Sequence, residues 1–182
     1  MEDFKSNWIL YPEALNKKEI DVIQKIASKK ELQPGTTFSE SAKDDRSSKI
    51  AWLTEEKVAD LFKDIVSHAN TMLAFNLSEN QPIMQYTEYH ADHQDHYDWH
   101  HDIDWNRNDG FNRKLSVTIQ LSDSKEYEGG EFEFEEVQTP PSELREKGSV
   151  LVFASYLRHR VKPVTKGIRK SLVTWLDGPN WV

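Results

Sequence analysis

Seven histidines occur in the 182-residue chain, and five of them lie between positions 90 and 101. Within this cluster, His100 and Asp102 are separated by one residue. Alternate residues of a β-strand face the same way, so both side chains can reach one point. A third ligand must come from elsewhere, and the histidines outside the cluster are His68 and His159. Two histidines and a carboxylate on one face of a metal leave its other positions open for reacting ligands.

Such a ligand set is the facial triad of non-haem Fe(II) oxygenases. The H-x-D pattern alone is not specific, because His93 and Asp95 repeat it within the same cluster. The alternative is an exposed histidine-rich loop that binds metals opportunistically. His90, His93 and His96 have no part in the triad, and we expect them to be loop residues and not a second metal site.

A candidate anion receptor follows His159. Arg169 and Ser171 share one face of a predicted strand, and a guanidinium fork beside a hydroxyl suits a carboxylate. An open metal site next to this arginine fits a cosubstrate with one chelating end and one free carboxylate, such as 2-oxoglutarate. The alternative is an arginine in a surface ion pair at a strand end.

A basic stretch surrounds this arginine. Residues 156–170 contain six basic side chains and no acid: Arg158, Arg160, Lys162, Lys166, Arg169 and Lys170. The stretch predicts either a patch that attracts a small anion or a solvated basic edge of a sheet.

The elements that must position these residues change in type along the chain. Apolar residues at helical spacing predict a helix over Ala14–Lys29, with Asn16 as N-cap and Glu19 completing a capping box. A second helix is predicted over Thr54–Leu77, capped by Thr54, and Gln33–Lys49 between the helices is polar and predicts a loop.

From residue 82 onward the alternation has a period of two. It predicts strands near 83–89, 115–121, 132–134 and 168–176, and the second of these has the pattern of a half-buried strand. A short apolar run predicts a further strand at 149–154. Short strands after a helical start favour a β-sandwich or jelly roll backed by helices. We expect one domain over residues 1–182, with a helical part at about 1–80 and a jelly-roll core at about 82–177.

Composition excludes several classes of protein. The chain has no cysteine, so disulfides, thiolate zinc sites and iron–sulfur clusters are excluded. Its net charge of −8 argues against a nucleic-acid partner. No apolar run approaches the roughly 20 residues of a membrane span, and no signal peptide is apparent, so we expect a cytoplasmic location without membrane association. The oligomeric state has no sequence signal.

Several segments, in order, resemble the Fe(II)/2-oxoglutarate dioxygenases of the prolyl 4-hydroxylase type. The resemblance covers about residues 52–175. The segments that carry it are Tyr97–Asp102, Arg113–Ser122, the Tyr-x-Gly-Gly-Glu hallmark at Tyr127–Glu131, Gly148–Phe153 before His159, and the closing strand Val161–Ser171. Members usually have a glycine before the first metal histidine, and residues 92–95 here contain none.

The resemblance implies an α+β fold with a cupin-like double-stranded β-helix, or jelly roll, and N-terminal supporting helices. It implies Fe(II) bound by His100, Asp102 and His159, and 2-oxoglutarate held through its far carboxylate by Arg169. Tyr89 and Ser171 are further candidate contacts to 2-oxoglutarate. O2 is the oxidant, and ascorbate is a further candidate cofactor.

The implied reaction is hydroxylation of a proline in a peptide or protein, with release of succinate and CO2. A carboxylate at Asp102 favours hydroxylation over halogenation, because it fills the position that a halide would take. The alternatives are a hydroxylase of a free amino acid or other small molecule, and a non-catalytic jelly-roll metal-binding module. Gln33–Lys49 and Asp104–Asn112 are candidate lids over the substrate.

Overall fold

The computed structural model of the protein describes residues 7–36 and 45–181. The N-terminal part contains β1 (Trp8–Tyr11), α1 (Lys17–Ala27), β2 (Gln33–Pro34), β3 (Arg46–Ser47), β4 (Lys49–Leu53), α2 (Glu56–Ala59) and α3 (Lys63–Leu73). The remainder contains β5 (Met84–His90), β6 (His96–His100), β7 (Phe111–Gln120), β8 (Tyr127–Gly129), β9 (Phe132–Phe134), β10 (Val150–Ala154), β11 (His159–Val161) and β12 (Val164–Pro179).

The first helix is confirmed, and its capping box is present. Asn16 accepts hydrogen bonds from the backbone N–H groups of Lys18 and Glu19, and the Glu19 carboxylate accepts one from the Asn16 N–H at 2.7 Å. Ile20 and Ile23 of α1 are buried in the hydrophobic core that lies against the larger sheet. Burial of each such side chain contributes about 1.5–3 kcal/mol, so tertiary packing is the main support of this short helix.

The single helix predicted over Thr54–Leu77 is wrong. The segment forms the one-turn helix α2 and the longer α3, separated at residues 60–62. Thr54 does not cap either one, since α2 begins after Glu55 and α3 after Phe62. Val58, Phe62 and Val66 are all buried in the core despite the break.

Two antiparallel sheets form a double-stranded β-helix, so the predicted jelly roll is confirmed. The larger sheet has the order β1-β10-β7-β12-β5-β4-β2, with β8 also paired to β12. The smaller sheet has the order β3-β6-β11-β9. Helices α1 and α3 pack on the outer face of the larger sheet, and the interior between the sheets is left for the site.

The structure corrects the prediction that residues 115–121 form a half-buried strand. Both faces of β7 are buried, and its polar side chains Ser116, Thr118 and Gln120 are 0%, 6% and 2% exposed. The alternation of apolar and polar residues predicted the strand correctly. The polar face of β7, however, points into the space between the two sheets and not into solvent. Small uncharged polar side chains can line an interior cavity when they are hydrogen-bonded.

The N-terminal part is less helical than predicted, because β1, β2 and β4 join the larger sheet and β3 forms an edge of the smaller sheet. The predicted loop Gln33–Lys49 therefore contains two short strands, and its central residues 37–44 lie outside the described residues. In the part of the chain that the structure describes, no helix is long and apolar enough to cross a membrane.

Candidate active site

The three predicted metal-binding residues lie close together on the inner face of the smaller sheet. His100 ends β6 and His159 begins β11, and the two residues are direct partners in the antiparallel register. Asp102 follows His100 by two residues. The Nε2 atoms of both histidines lie 3.7 Å from the Asp102 carboxylate, and one ligand atom from each of the three residues falls within 4.8 Å of the others. This spacing is short enough for one metal ion to bridge all three.

Both imidazoles are held in the orientation that a metal requires. The Nδ1 of His100 lies 2.7 Å from the Asp98 carbonyl oxygen, and the Nδ1 of His159 lies 2.9 Å from that of Leu157. A carbonyl oxygen can only accept, so each Nδ1 carries the proton and each Nε2 keeps a lone pair. Metal-binding histidines are oriented by this kind of bond in other proteins.

The Asp102 carboxylate is positioned by two serines. Ser116 Oγ donates to Asp102 Oδ2 at 2.6 Å, and Ser155 Oγ lies 2.9 Å from Ser116 Oγ. The backbone N–H of Asp102 donates to the Ser155 carbonyl oxygen at 3.0 Å. Burial acts to raise the pKa of Asp102, but His159, His100, Arg113 and the Ser116 hydrogen bond outweigh it and lower the pKa. The carboxylate is therefore ionised.

The surroundings of His100 favour its neutral form. Burial, followed by the charge of His159, lowers the pKa of His100 to about 3. The Tyr97 ring stacks on His100 with the ring centres 3.5 Å apart, and Phe132 and Phe153 pack around His159 at 5.3 and 4.8 Å. Metal binding requires a neutral imidazole, and burial supplies this form at His100.

Arg169 differs from the other members of the basic stretch. In residues 7–36 and 45–181, the other five pair with glutamates, and Arg169 has no ion-pair partner. Those pairs are Arg158 with Glu135, Arg160 and Lys162 with Glu133, Lys166 with Glu128 and Lys170 with Glu88. Arg169 is only 4% exposed, and it lines the same cavity as the three metal-binding candidates. The stretch is therefore a paired edge plus one buried cation.

The other two candidate contacts lie beside this guanidinium. Tyr89 is the register partner of Arg169, and its ring centre is 5.5 Å from the guanidinium carbon. Ser171 is 1% exposed and lines the same cavity. Gly130 packs against the Arg169 stem: with φ of 64°, it has no room for a Cβ, which would lie 2.9 Å from Arg169 Cδ.

These residues fit Fe(II) and 2-oxoglutarate. A buried guanidinium without a carboxylate partner among the described residues carries a large desolvation cost, which an anionic ligand offsets. The cavity also contains three convergent oxygen and nitrogen donors of the type that holds non-haem iron. Its volume is about 140 Å³, and it extends from the metal-binding candidates to Arg169.

Sequence reasoning missed four side chains of this cavity. Three of them line the cavity: Arg46, Tyr97 and Arg113. The fourth, Ser116, orients Asp102 through its hydrogen bond to the carboxylate. The Ser-x-Thr-x-Gln alternation of β7 was the available signal, since a solvated strand face normally carries charges. No pattern in the sequence pointed to Arg46, because this side chain reaches the cavity only through the pairing of β3 with β6.

The local structure shows how the histidine cluster folds without the glycine that family members usually have before the first metal histidine. A 3-10 turn at Ala91–His93 is followed by Gln94, whose φ of 50° is the left-handed conformation that glycine adopts most readily. Asp95 closes the turn by accepting hydrogen bonds from the His90 N–H and the Ser47 hydroxyl. His90 bonds to Glu88 at 2.8 Å. Among the described residues, the triad is the one group of three ligating side chains close enough to share a metal.

The candidate lids remain predictions. In the loop Asp104–Asn112, Trp105 is 61% exposed and its indole N–H donates to His101 at 3.3 Å, and the loop does not line the cavity. The central part of the other candidate lid, residues 37–44, lies outside the described residues.

Two histidines, an aspartate and a buried arginine with no ion-pair partner in residues 7–36 and 45–181 line one cavity of a jelly roll, and this is the donor set expected of a metal-dependent oxygenase. The family model described as the 2OG-Fe(II) oxygenase superfamily matches residues 84–177, which is more than half of the chain. The chain belongs to this superfamily, as its resemblance predicted.

Similar proteins carry the name PKHD-type hydroxylase. A PKHD-type hydroxylase of Synechococcus sp. (strain CC9902) is 34% identical over 83 residues, which are 46% of this chain and 36% of that protein. A PKHD-type hydroxylase of Idiomarina loihiensis is 35% identical over 68 residues, 37% of this chain and 31% of that protein. The chain thus spans about a third of the length of the curated relatives it matches.

Solved structures share the fold over nearly the whole chain. The viral collagen prolyl hydroxylase of Paramecium Bursaria Chlorella virus-1, in its 2OG complex, has a TM-score of 0.69 at 20% identity and is matched over 95% of this chain and 97% of its own. A Pseudomonas putida prolyl-4-hydroxylase has a TM-score of 0.69 at 18% identity, with coverage of 96% and 94%. At these identities the likeness concerns the fold.

Proposed function

We propose that this protein is an Fe(II)/2-oxoglutarate-dependent dioxygenase that hydroxylates a proline in a peptide or protein. In the reaction, O2 supplies one oxygen atom to the C–H bond of the substrate and one to succinate, and 2-oxoglutarate loses CO2. The observation that carries the proposal is the joint placement, in one cavity, of the His100–Asp102–His159 donors and the Arg169 guanidinium, which has no ion-pair partner in the part of the chain that the structure describes. We also propose that residues 1–182 form one domain.

The chain's own residues would have distinct roles. His100, Asp102 and His159 would hold Fe(II), which together with 2-oxoglutarate would activate O2, the oxidant for C–H hydroxylation. Arg169 would pair with the far carboxylate of 2-oxoglutarate, and Tyr89 and Ser171 would border it. The aromatic walls around His159 would limit access of water to this end of the cavity.

A proline-containing substrate is supported by the mouth of the cavity. Trp52 and Trp175 line it with ring centres 6.3 Å apart, and Trp52 is 45% exposed. Proline-rich segments dock on aromatic grooves at a low ordering cost, because the polyproline conformation is already formed. A prolyl hydroxylase of Trichoplax adhaerens with the same fold was solved with a peptide fragment bound; its TM-score to this chain is 0.65.

The first test is a metal and cosubstrate titration. The metal-free protein is mixed anaerobically with Fe(II) and 2-oxoglutarate, and the visible charge-transfer band of the chelate is recorded. We expect the band in the wild type, its loss in His159→Ala, and a requirement for at least tenfold more 2-oxoglutarate in Arg169→Ala. His68→Ala is the matched histidine control, because His68 contacts Tyr11 on another part of the fold.

The second test measures turnover. Proline peptides are incubated with Fe(II), 2-oxoglutarate and O2, with and without ascorbate, and succinate and hydroxyproline are quantified together. Equal amounts of both products support the proposal, and Asp102→Ala should abolish them. A folded protein that gives neither the band nor succinate would favour a non-catalytic binding module, and succinate formed only with a free amino acid would favour a small-molecule hydroxylase.

A further inference from the structure

We propose that a second cleft in the protein surface is a separate entrance to the active-site cavity, through which 2-oxoglutarate enters and succinate leaves. The inference rests on the proposed function and adds to it the route of the cosubstrate. Its basis is the position of Arg169, which lines both the active-site cavity and this cleft.

The two ends of the active-site cavity lie far apart. Alternate residues of β12 line the cavity from Trp175 to Arg169. A strand rises about 3.3 Å per residue, so these two positions are roughly 20 Å apart. Trp52, next to Trp175, is 45% exposed and marks the mouth, whereas Arg169 is 4% exposed and marks the deep end. A peptide docked on the two tryptophans would therefore close the mouth while the cosubstrate lies behind it.

The cleft opens to the surface beside this deep end. It lies between β9 and the 3-10 turn Ser142–Arg145, and its volume is about 200 Å³. Its floor consists of buried side chains: Gln120, Tyr127, Phe132 and Leu144. Its rim consists of exposed residues: Thr139, Pro141 and Ser142. An exposed rim above a buried floor gives a path from solvent to Arg169.

The partition between the cleft and the cavity is thin. Arg169 and Phe132 line both spaces, so at these points one side chain separates them. Gly130 lines the cleft next to Arg169 and has no side chain that could thicken the partition. A Cβ at this position would lie 2.9 Å from Arg169 Cδ and 3.0 Å from a methyl group of Val164. The absence of a side chain at Gly130 therefore leaves the Arg169 stem accessible from the cleft.

The Arg169 guanidinium is not tied to either wall. Within residues 7–36 and 45–181 its side chain has no ion-pair or hydrogen-bond partner, and it lies 5.5 Å from the centre of the Tyr89 ring. Rotation of this group therefore breaks no hydrogen bond to the described protein. An arginine has five N–H donors, and a carboxylate takes two of them in the bidentate arrangement. The group can thus bind one carboxylate of a dicarboxylate in the cleft and turn with it towards the cavity.

The two carboxylates that line the cleft do not oppose the passage of an anion. Both are already paired with basic side chains: Glu131 with Arg145, and Glu133 with Arg160 and Lys162. Ion pairing cancels most of the field that a carboxylate would present to a passing ligand. 2-Oxoglutarate and succinate each have two carboxylates, so this pairing is a condition for their entry and exit by the cleft.

The test blocks each opening separately and measures ligand release. The chain has no cysteine, so a single cysteine can be introduced at each opening and labelled with a bulky maleimide. Trp52→Cys places the label at the mouth, Ser142→Cys places it on the rim of the cleft, and the double variant places it at both. Asp21→Cys, on the exposed face of α1, is the matched control. Melting temperatures confirm that each labelled protein is folded.

The labelled proteins are loaded with Mn(II) and radiolabelled 2-oxoglutarate under argon and then mixed with excess unlabelled 2-oxoglutarate. The rate at which radioactivity is released does not depend on catalysis. We expect the label at the mouth to leave this rate within about threefold of the Asp21→Cys control, and the label on the cleft to slow release about tenfold or more. The doubly labelled protein should retain the ligand longest. Radiolabelled succinate should show the same order.

The outcomes separate this inference from the proposed function. Retention of the ligand behind the label at the mouth alone overturns the inference and leaves the proposed function standing. Release from the doubly labelled protein as fast as from the protein labelled only at the mouth also overturns it, because the cleft would then carry no ligand. If the Mn(II) protein binds no 2-oxoglutarate before the exchange begins, the proposed function is refuted and the inference falls with it.

Discussion

Replacement of Ser116 by alanine tests how the candidate metal carboxylate is positioned. The Ser116 hydroxyl is fully buried on β7 and donates to Asp102 Oδ2 at 2.6 Å. It also lies 2.9 Å from Ser155 Oγ, so it connects Asp102 to a second strand. Alanine removes this donor and adds no atom to the site. Asp102 would keep the hydrogen bond from its backbone N–H to the Ser155 carbonyl oxygen, but its carboxylate would lose the hydrogen bond that fixes its rotation.

The expected magnitude follows from the burial of this bond. A hydrogen bond to a charged group contributes about 1.5–3 kcal/mol, and a buried acceptor that loses its donor incurs that cost in full. Loss of a group that orients a metal ligand typically weakens metal binding about 10–100-fold. We therefore expect Ser116→Ala to bind Fe(II) or Mn(II) about 10–100-fold more weakly and to unfold more easily by about 1.5–3 kcal/mol without metal.

The pH dependence has a definite sign. The Ser116 hydrogen bond is one of the causes that lower the pKa of Asp102, so its removal raises that pKa. A carboxyl group with a lowered pKa adds stability above its ordinary pKa of 3.8, and this stability is lost as the pH falls. The variant should therefore lose metal at a higher pH than the wild type on acidification.

The assay is calorimetric titration of Mn(II) at several pH values, with urea unfolding of the metal-free proteins alongside. Ser149→Ala is the matched control, because Ser149 is equally buried and donates to the Glu143 carbonyl oxygen at 2.7 Å, away from the triad. The control should lose stability and keep its metal affinity. A Ser116→Ala protein that is destabilised but binds metal as tightly as the wild type would refute a positioning role for Ser116.

Three further predictions concern stability and the cosubstrate. Gly130→Ala should destabilise the protein by about 1–2 kcal/mol, because φ is 64° there and a Cβ would press on Arg169 Cδ; thermal unfolding and the KM for 2-oxoglutarate, which should rise, measure this. An unchanged KM would mean that the Arg169 side chain adjusts without loss. Burial, opposed by Arg46, raises the pKa of Tyr97 to about 12, so its contribution of about 2 kcal/mol is complete below pH 10 and lost as pH rises towards 12. Urea unfolding at pH 9 and pH 11.5 should show this fall, and Tyr97→Phe should reduce it; an equal fall in both proteins would contradict the assignment. Gln94→Gly should stabilise the protein by about 0.5–1 kcal/mol, since the left-handed conformation there costs more than the added entropy of glycine, and a lower melting temperature would show that the Gln94 side chain is itself needed.

Local patterns in the sequence were enough to predict much of the fold. The capping box at Asn16 and Glu19 marks the start of α1, because it depends on residues only three apart. Alternation identified β5, β7, β9 and β12, because the period of a strand is a property of the chain itself, and a short apolar run identified β10. The prediction of a single second helix was wrong, because a continuous apolar stripe does not reveal a break such as that at residues 60–62. This break depends on packing against the sheet.

The candidate site was predicted from residue types and order along the chain. His100, Asp102, His159 and Arg169 were named from spacing and from the resemblance to the family, and the structure places all four around one cavity. Their roles as metal and cosubstrate ligands stay predictions until the titrations are made.

Tertiary structure alone decided how this site is completed. The antiparallel register of β6 and β11 sets His159 opposite His100, although 58 positions separate them in numbering. The pairing of β3 with β6 brings Arg46 over Tyr97, and the closure of the two sheets turns Ser116 inward to Asp102. Sequence periodicity shows which residues share a face, but which faces meet depends on the long-range pairing of strands, and that pairing determines the charge of the cavity.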